Sequence, residues 1–363
     1  MWLPVILLRD FGPWSFPIFA LPNVIGAALM GFALRRPGAS EDFVRSHRLA
    51  CHAFSFVTIA FQTFFLIWLL IGSGGSNLAR VGLLAIFLLP AMLAGEGGAG
   101  SRRARAIGIA VYLLSLGAAG YWLLTGGPRA FTAQPPDAVN LGSLGAVCVL
   151  GFMLCPYLDL TFHRARQRLP GHAGNAAFVI GFTALFFLMI LFTYFYAQPT
   201  LNDAGKFIPN PALAGLAVTI HMLAQLGFTN GLHNAALRDD ATTPTPFTAM
   251  GGTGAIVLAL LCFFLPDLIP AITREMVYRG FMGMYGLVFP AYVWACVRRD
   301  LSPPTRPQII ALAIAVLLAG PMFYLGFIEK RYGWLAAGVA VVLLSRVGTL
   351  TGPPRPSPRA DEP

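Results

Sequence analysis

The chain has 363 residues, 56% of them hydrophobic and only 11% charged, with a formal net charge of +10 and a mean hydropathy of +0.69. Soluble domains carry about 25% charged residues, so the composition excludes an ordinary soluble protein. The arginines are scattered over short loops and not gathered on one domain, which excludes nucleic acid as the partner of the positive charge.

Apolar runs recur along the whole chain, many near the roughly 20 residues that a bilayer-crossing helix needs. They predict an all-α polytopic membrane protein with eleven spans, at 14–34, 49–72, 78–95, 106–125, 141–162, 176–198, 211–236, 247–269, 276–297, 307–328 and 332–350. One transmembrane domain then fills 1–350, and the Pro-rich stretch 351–363 reads as a disordered cytoplasmic tail. Met1 to Leu8 is too short to cross and reads as an interfacial or re-entrant piece. It lacks the basic start and small-residue cleavage pattern of a signal peptide. Five cysteines without CxxC spacing read as apolar packing residues. Most of the 25 Lys and Arg fall in the loops after spans one, three, five, seven and nine and in the tail. Basic loops stay cytoplasmic, so a cell membrane protein is expected with its N-terminus outside and its C-terminus inside.

In chain order, span one carries Pro17, Pro22 and Asn23, with Gly26 and Gly31 able to admit a neighbouring backbone. Pro22 lies well inside the helix and predicts a break; Asn23 is a candidate ligand for a cation or substrate, or a tie between helices. Span two places His52, Ser55, Thr58 and Gln62 on one face, as interhelical contacts or pore lining. Spans three and four are aliphatic scaffold. The glycine-rich link 94–103 has no preceding strand and no following Gly-Lys-Ser/Thr, so it is not a phosphate loop.

Span five holds the central feature, Cys155-Pro156-Tyr157-Leu158-Asp159. Proline there removes one backbone hydrogen bond and clashes with the preceding turn. An acid within an apolar span is costly and points to a bundle interior or a cavity. His163 follows Asp159 by four residues, where a helical acid–imidazole pair can form. Asp159 falls toward the cytoplasmic side, so Pro156 is the better marker of a substrate position, with Asp159 as an ion or proton group or an anchor.

Span seven carries His221, Gln225, Thr229 and His233 at four-residue steps, flanked by Asn230 and Asn234, with a Gly227-xxx-Gly231 face. That ridge can supply ligands, a proton relay or polar glue. Gly251, Gly252 and Gly254 open span eight for close packing. In span nine, Tyr278, Tyr285 and Tyr292 share a face at seven-residue spacing, Pro290 kinks the helix, and Glu275 with Arg279 forms an interface anchor. Gly320-Pro321 marks another break in span ten.

Pro22 and Pro156 are each followed by an Arg-rich exit, a Pro-Gly pair and a helix with matching Phe-Val and Phe-Phe-Leu steps. These features suggest a parallel internal repeat of units 14–125 and 141–269. The two Pro-interrupted helices, at Pro22-Asn23 and at Pro156-Tyr157-Leu158-Asp159, resemble the discontinuous helices of secondary transporters, nearest to the amino acid–polyamine–organocation superfamily that includes sodium:solute symporters. The resemblance covers about 50 residues, and it implies binding between broken helices of two related halves. The chain departs from that family in the inward course of its first span.

The leading expectation is therefore a secondary transporter of a small solute working by alternating access, not an enzyme. It needs no bound cofactor; sodium or a proton is the coupling ion. The substrate or ion would meet Asn23, Pro156, Tyr157, Asp159, His221, Gln225 and Thr229, with Asp159 and His163 coupling the proton. A membrane redox subunit using His52, His221 and His233 around a haem or quinone is the first alternative, and a structural or regulatory membrane subunit the second. No HExxH and no Ser/His/Asp set supports hydrolase chemistry.

Overall fold

A computed structural model describes residues 2–34, 36–72, 76–98, 100–125, 137–169, 171–197, 212–239 and 244–346; the predicted tail 351–363 lies outside them. The described residues are predominantly helical, with no strand among them. The elements are α1 Leu3–Phe11, α2 Ser15–Leu29, α3 Ala39–Ser46, α4 Arg48–Gly72, α5 Asn77–Gly97, α6 Arg102–Thr125, α7 Ala138–Leu154, α8 Leu160–Arg168, α9 Gly171–Ile180, α10 Phe187–Ala197, α11 Ala212–Asp239, α12 Pro246–Leu268, α13 Arg274–Gly283, α14 Phe289–Cys296, α15 Arg306–Phe323 and α16 Gly333–Leu344. A 3-10 turn over Cys155–Leu158 separates α7 from α8. π turns over Gly181–Phe186 and Met284–Val288 join α9 to α10 and α13 to α14, and a third, Tyr324–Ile328, extends α15.

Helix starts follow local chemistry. Asp137 accepts from the amides of Val139 and Asn140 to cap α7. Thr245 and Thr248 form a reciprocal capping box before α12, and Thr273 caps α13. Seven helices among the described residues are long and apolar enough to cross a membrane, as a multi-pass membrane protein requires; α2 and α16 are apolar but shorter. Large side chains such as Leu78, Leu124 and Leu317 stand exposed on the bundle surface, where a bilayer and not water is the compatible solvent.

Of the seven, α4 is the most enclosed, with 61% of its apolar window buried against 17–44% in the others. Its phenylalanines, including Phe54, Phe56, Phe64 and Phe65, centre the largest buried cluster. The three tyrosines at seven-residue spacing line up along this helix and its N-terminal approach. Tyr278 packs on Phe61 at 5.3 Å, Tyr285 bonds Thr58, and Tyr292 bonds His47. The α5–α11 contact is the most extensive in the bundle. A Cβ on Gly227 or Gly231 would collide with the backbone oxygens of Phe87 and Ala91, so the Gly-xxx-Gly face does admit a backbone.

One expectation changes, the break at Pro22, and two gain detail. The N-terminal segment is a helix packed into the core, with Val5, Ile6, Leu7 and Leu8 buried. The break at Pro22 is not formed: α2 continues through it to Leu29. One lost hydrogen bond kinks a helix without ending it, and the chain after Pro22 engages no side-chain cap that would start another. The Glu275–Arg279 pair is part of a larger buried network: Arg279 also donates to Asp10, and Arg9 donates to Glu275 at 2.8 Å. That network ties α1 to the start of α13.

Candidate functional site

The site is built around Pro156. Because proline has no N–H, the carbonyl of Phe152 four residues earlier loses its helical donor. That oxygen lies against Gly26 of α2, where a Cβ would collide with it; the missing side chain lets α2 seat on the exposed carbonyl. Phe19 and Asn23 precede Gly26 at helical spacing on this face, and Phe19 packs edge-on to Phe152 at 5.2 Å. Asn23 is buried, and its Nδ2 has no hydrogen-bond partner among the described residues.

After the 3-10 turn the backbone at Asp159 is extended, with φ −77° and ψ 105°. Its Oδ1 accepts from the Thr161 amide at 2.8 Å and from the Thr161 hydroxyl at 2.6 Å. Asp159 is thus the N-cap of α8. The predicted Asp159–His163 pair has no side-chain hydrogen bond: the carboxylate is turned to Thr161 as the cap, and only the Asp159 carbonyl meets His163, accepting from its amide at 3.2 Å. Instead His163 Nε2 donates to the Tyr157 carbonyl at 2.7 Å. A carbonyl can only accept, so Nε2 carries the proton. The other ring nitrogen then accepts from the Ser40 hydroxyl at 2.9 Å, and Gln167 donates to Ser40 at 3.2 Å. Both sides of the break are closed by this directed chain from Gln167 to Tyr157.

Phe43 of α3 stacks on His163 with ring centroids 5.1 Å apart and lies 4.7 Å from His47. His47, between α3 and α4 and outside the predicted span, bonds the Tyr292 hydroxyl at 3.0 Å, and its Nε2 is buried without a partner among the described residues. Burial, and then the neighbouring His163, push its imidazole down to about 4. It is neutral at physiological pH.

The opposing wall is the π turn Met284–Val288. Cys155 Sγ donates to the Tyr285 carbonyl at 3.2 Å, and a Cβ on Gly151 would stand 2.8 Å from the same oxygen. Thr58 of α4 donates to its own Phe54 carbonyl, so at 2.8 Å it accepts from the Tyr285 hydroxyl. A 3-10 turn in one helix therefore faces a π turn in another. Such irregular backbone at membrane depth is tolerated where protein buries it or a cavity is lined.

The α4 stripe and the α11 ridge surround this junction but do not both enter it. His52 bonds Thr245 at 2.9 Å, Ser55 bonds His233 at 3.1 Å, and Gln62 Oε1 is buried and unpartnered among the described residues. Steps of four residues rotate about 40° each on a 3.6-residue helix, so the ridge fans over different neighbours. His221 packs against Phe192 and Tyr196 of α10, Gln225 donates to Ser115 of α6 at 3.0 Å, and Thr229 donates to its own Gln225 carbonyl. Only His233 reaches the junction, within electrostatic range of Asp159. The structure therefore does not place His221, Gln225 and Thr229 opposite Pro156. Ser40, Thr161 and Tyr285 join the site instead; of these only Tyr285 carried a signal, through the tyrosine repeat. Among the described residues, no group of three His, Cys, Asp or Glu is arranged to hold a metal ion. No protein-family model matches this chain, and no curated protein matches its sequence.

Proposed function

We propose that the protein is a secondary transporter of a small solute, with eleven spans, the N-terminus outside and the arginine-rich loops inside the cell membrane. One observation carries the reading: the helix stop at Pro156 lies inside the bundle, directly against a π turn, with a half-buried carboxylate at its exit. Irregular backbone at membrane depth occurs where protein buries it or where it lines a cavity, and an acid within an apolar span marks a bundle interior or a pathway. Asn23 and Gln62 support the reading as buried polar groups with free hydrogen-bonding capacity among the described residues. In this mechanism Asp159 holds the coupling cation or proton, and Asn23 and the turn at Pro156 and Tyr157 face the solute. His163 positions the turn by holding the Tyr157 carbonyl. His221 and Gln225 contact α10 and α6, and Thr229 bonds back to its own helix.

The test is uptake into proteoliposomes across a panel of small solutes under imposed sodium and proton gradients. Gradient-driven uptake that vanishes in Asp159→Asn, with the protein still inserted, is the expected result. Uptake that survives the substitution unchanged removes Asp159 from the mechanism. Absence of gradient-driven uptake for every solute favours a structural or regulatory subunit.

A further inference from the structure

Away from the Pro156 junction, a groove of about 340 Å³ runs between α6, α8, α9 and α11, within the range of small-ligand pockets, roughly 300–1,000 Å³. Its walls are aromatic: Phe162, Phe178 and Phe182 pack together with centroid separations of 5.1–5.9 Å, and Phe228 and Leu232 face them from α11. Gly108 keeps the opposite wall low, since a Cβ there would stand 3.0 Å from the Phe228 ring. Apart from Arg105 the one polar lining residue is Thr161, and its hydroxyl is already donated to Asp159.

The rim has the opposite character. Arg105 lines the groove, and the Arg168 side chain lies across Gly100 at its edge. Both arginines are exposed, and neither is held in an ion pair among the described residues. Of the acids beside the α5–α6 link, Glu96 is paired with Arg103, and Asp239 lies against Gly98 without an ion pair to Arg105 or Arg168 among the described residues. An apolar, phenylalanine-walled slot with two unpaired guanidiniums at its rim matches an amphiphile: an acyl chain carrying an anionic phosphate headgroup. We propose that this groove is a binding site for an anionic phospholipid of the arginine-rich side of the membrane. Its chain lies along Phe162, Phe178 and Phe182, and its phosphate bridges Arg105 and Arg168 by charge-assisted hydrogen bonds. A basic pocket between membrane helices on the cytoplasmic side is the expected location for such recognition.

Native mass spectrometry of the detergent-purified full chain, titrated with phosphatidylglycerol, phosphatidylcholine or glycerol phosphate, tests it. Phosphatidylglycerol should bind in preference to phosphatidylcholine. Each arginine is worth about 1 kcal/mol near a lipid surface, so Arg105→Gln/Arg168→Gln should weaken phosphatidylglycerol about 30-fold and leave phosphatidylcholine unchanged. Ala177→Trp, which fills the exposed side of the groove without altering charge, should reduce both lipids. Equal binding of the two lipids, an unchanged affinity in the double variant, or equal binding by glycerol phosphate would each overturn the assignment. If the double variant cannot be purified, the Ala177→Trp titration decides alone, and undiminished lipid binding there has the same meaning.

Discussion

Asp159 has two tasks that substitutions can separate. Its carboxylate caps α8 through the Thr161 amide and hydroxyl, and its charge lies within range of His163 and His233. Asparagine caps a helix about as well as aspartate, whereas alanine costs about 1 kcal/mol. Asp159→Asn should therefore keep the thermal unfolding midpoint in detergent near that of the parent while losing coupled uptake. Asp159→Ala should lose both. A large fall in the midpoint for Asp159→Asn would mean that the charge holds the fold and that the uptake assay reports misfolding. The His163 proton position does not depend on the acid: it sits on Nε2 because the Tyr157 carbonyl demands a donor.

At the scale of elements, close backbone approach positions the site. Gly26 against the Phe152 carbonyl seats α2 on the proline-exposed end of α7, and Gly227 and Gly231 seat α11 on α5. Alanine at any of these three positions inserts a methyl group into backbone, and overpacking of this kind costs about 1–3 kcal/mol. Gly117 of α6 has nothing within 4 Å of its Cβ position; alanine there should be neutral or stabilising by about 0.4–1 kcal/mol. Thermal unfolding of the four single variants checks the contrast. A Gly26→Ala variant as stable as Gly117→Ala would show that α2 does not rest on the Phe152 oxygen. The two prolines follow from the same local physics. After Pro156 the chain offers Asp159 and Thr161 to begin a new helix, and after Pro22 no cap forms, so one helix stops and the other runs on.

Across the whole molecule, the network of Arg9, Asp10, Glu275 and Arg279 joins the first helix to a helix more than 260 residues later. Glu275 lies just before the predicted span. Burial pushes its carboxyl up, but hydrogen bonds from Arg9 and Arg279 outweigh burial and hold it near 2, against an ordinary value of 4.5. A carboxylate depressed on folding contributes stability that is complete above the unfolded value and is lost as pH falls through the folded one. Glu275→Gln should therefore be less stable than the parent at pH 6, by roughly 1–3 kcal/mol after allowing for partial exposure. The two should converge between pH 4.5 and 2. Unfolding midpoints of both proteins across that range give the answer, and a gap independent of pH would place the effect in packing and not in charge.

The membrane class and the approximate helical positions were legible in the sequence because apolar length is local composition, although seven described helices, and not eleven, are long and apolar enough to cross. Pro156 was legible as a residue that disturbs its helix, but Pro22 carried the same signal without a break, and the Asp159 cap that follows Pro156 made the difference. The Gly-xxx-Gly face of α11 and the tyrosine repeat could be read as periodicities, though not which helices they would meet. Partnership was decided only in three dimensions. The Asp159 carboxylate caps α8 and does not pair with the His163 ring, because the backbone at Asp159 is extended. Ser40 came 123 residues along the chain to take His163, and the α11 ridge fanned out because its four-residue step drifts around the helix. A hydrogen bond depends on where two backbones have been carried by all the packing between them, which no local pattern encodes.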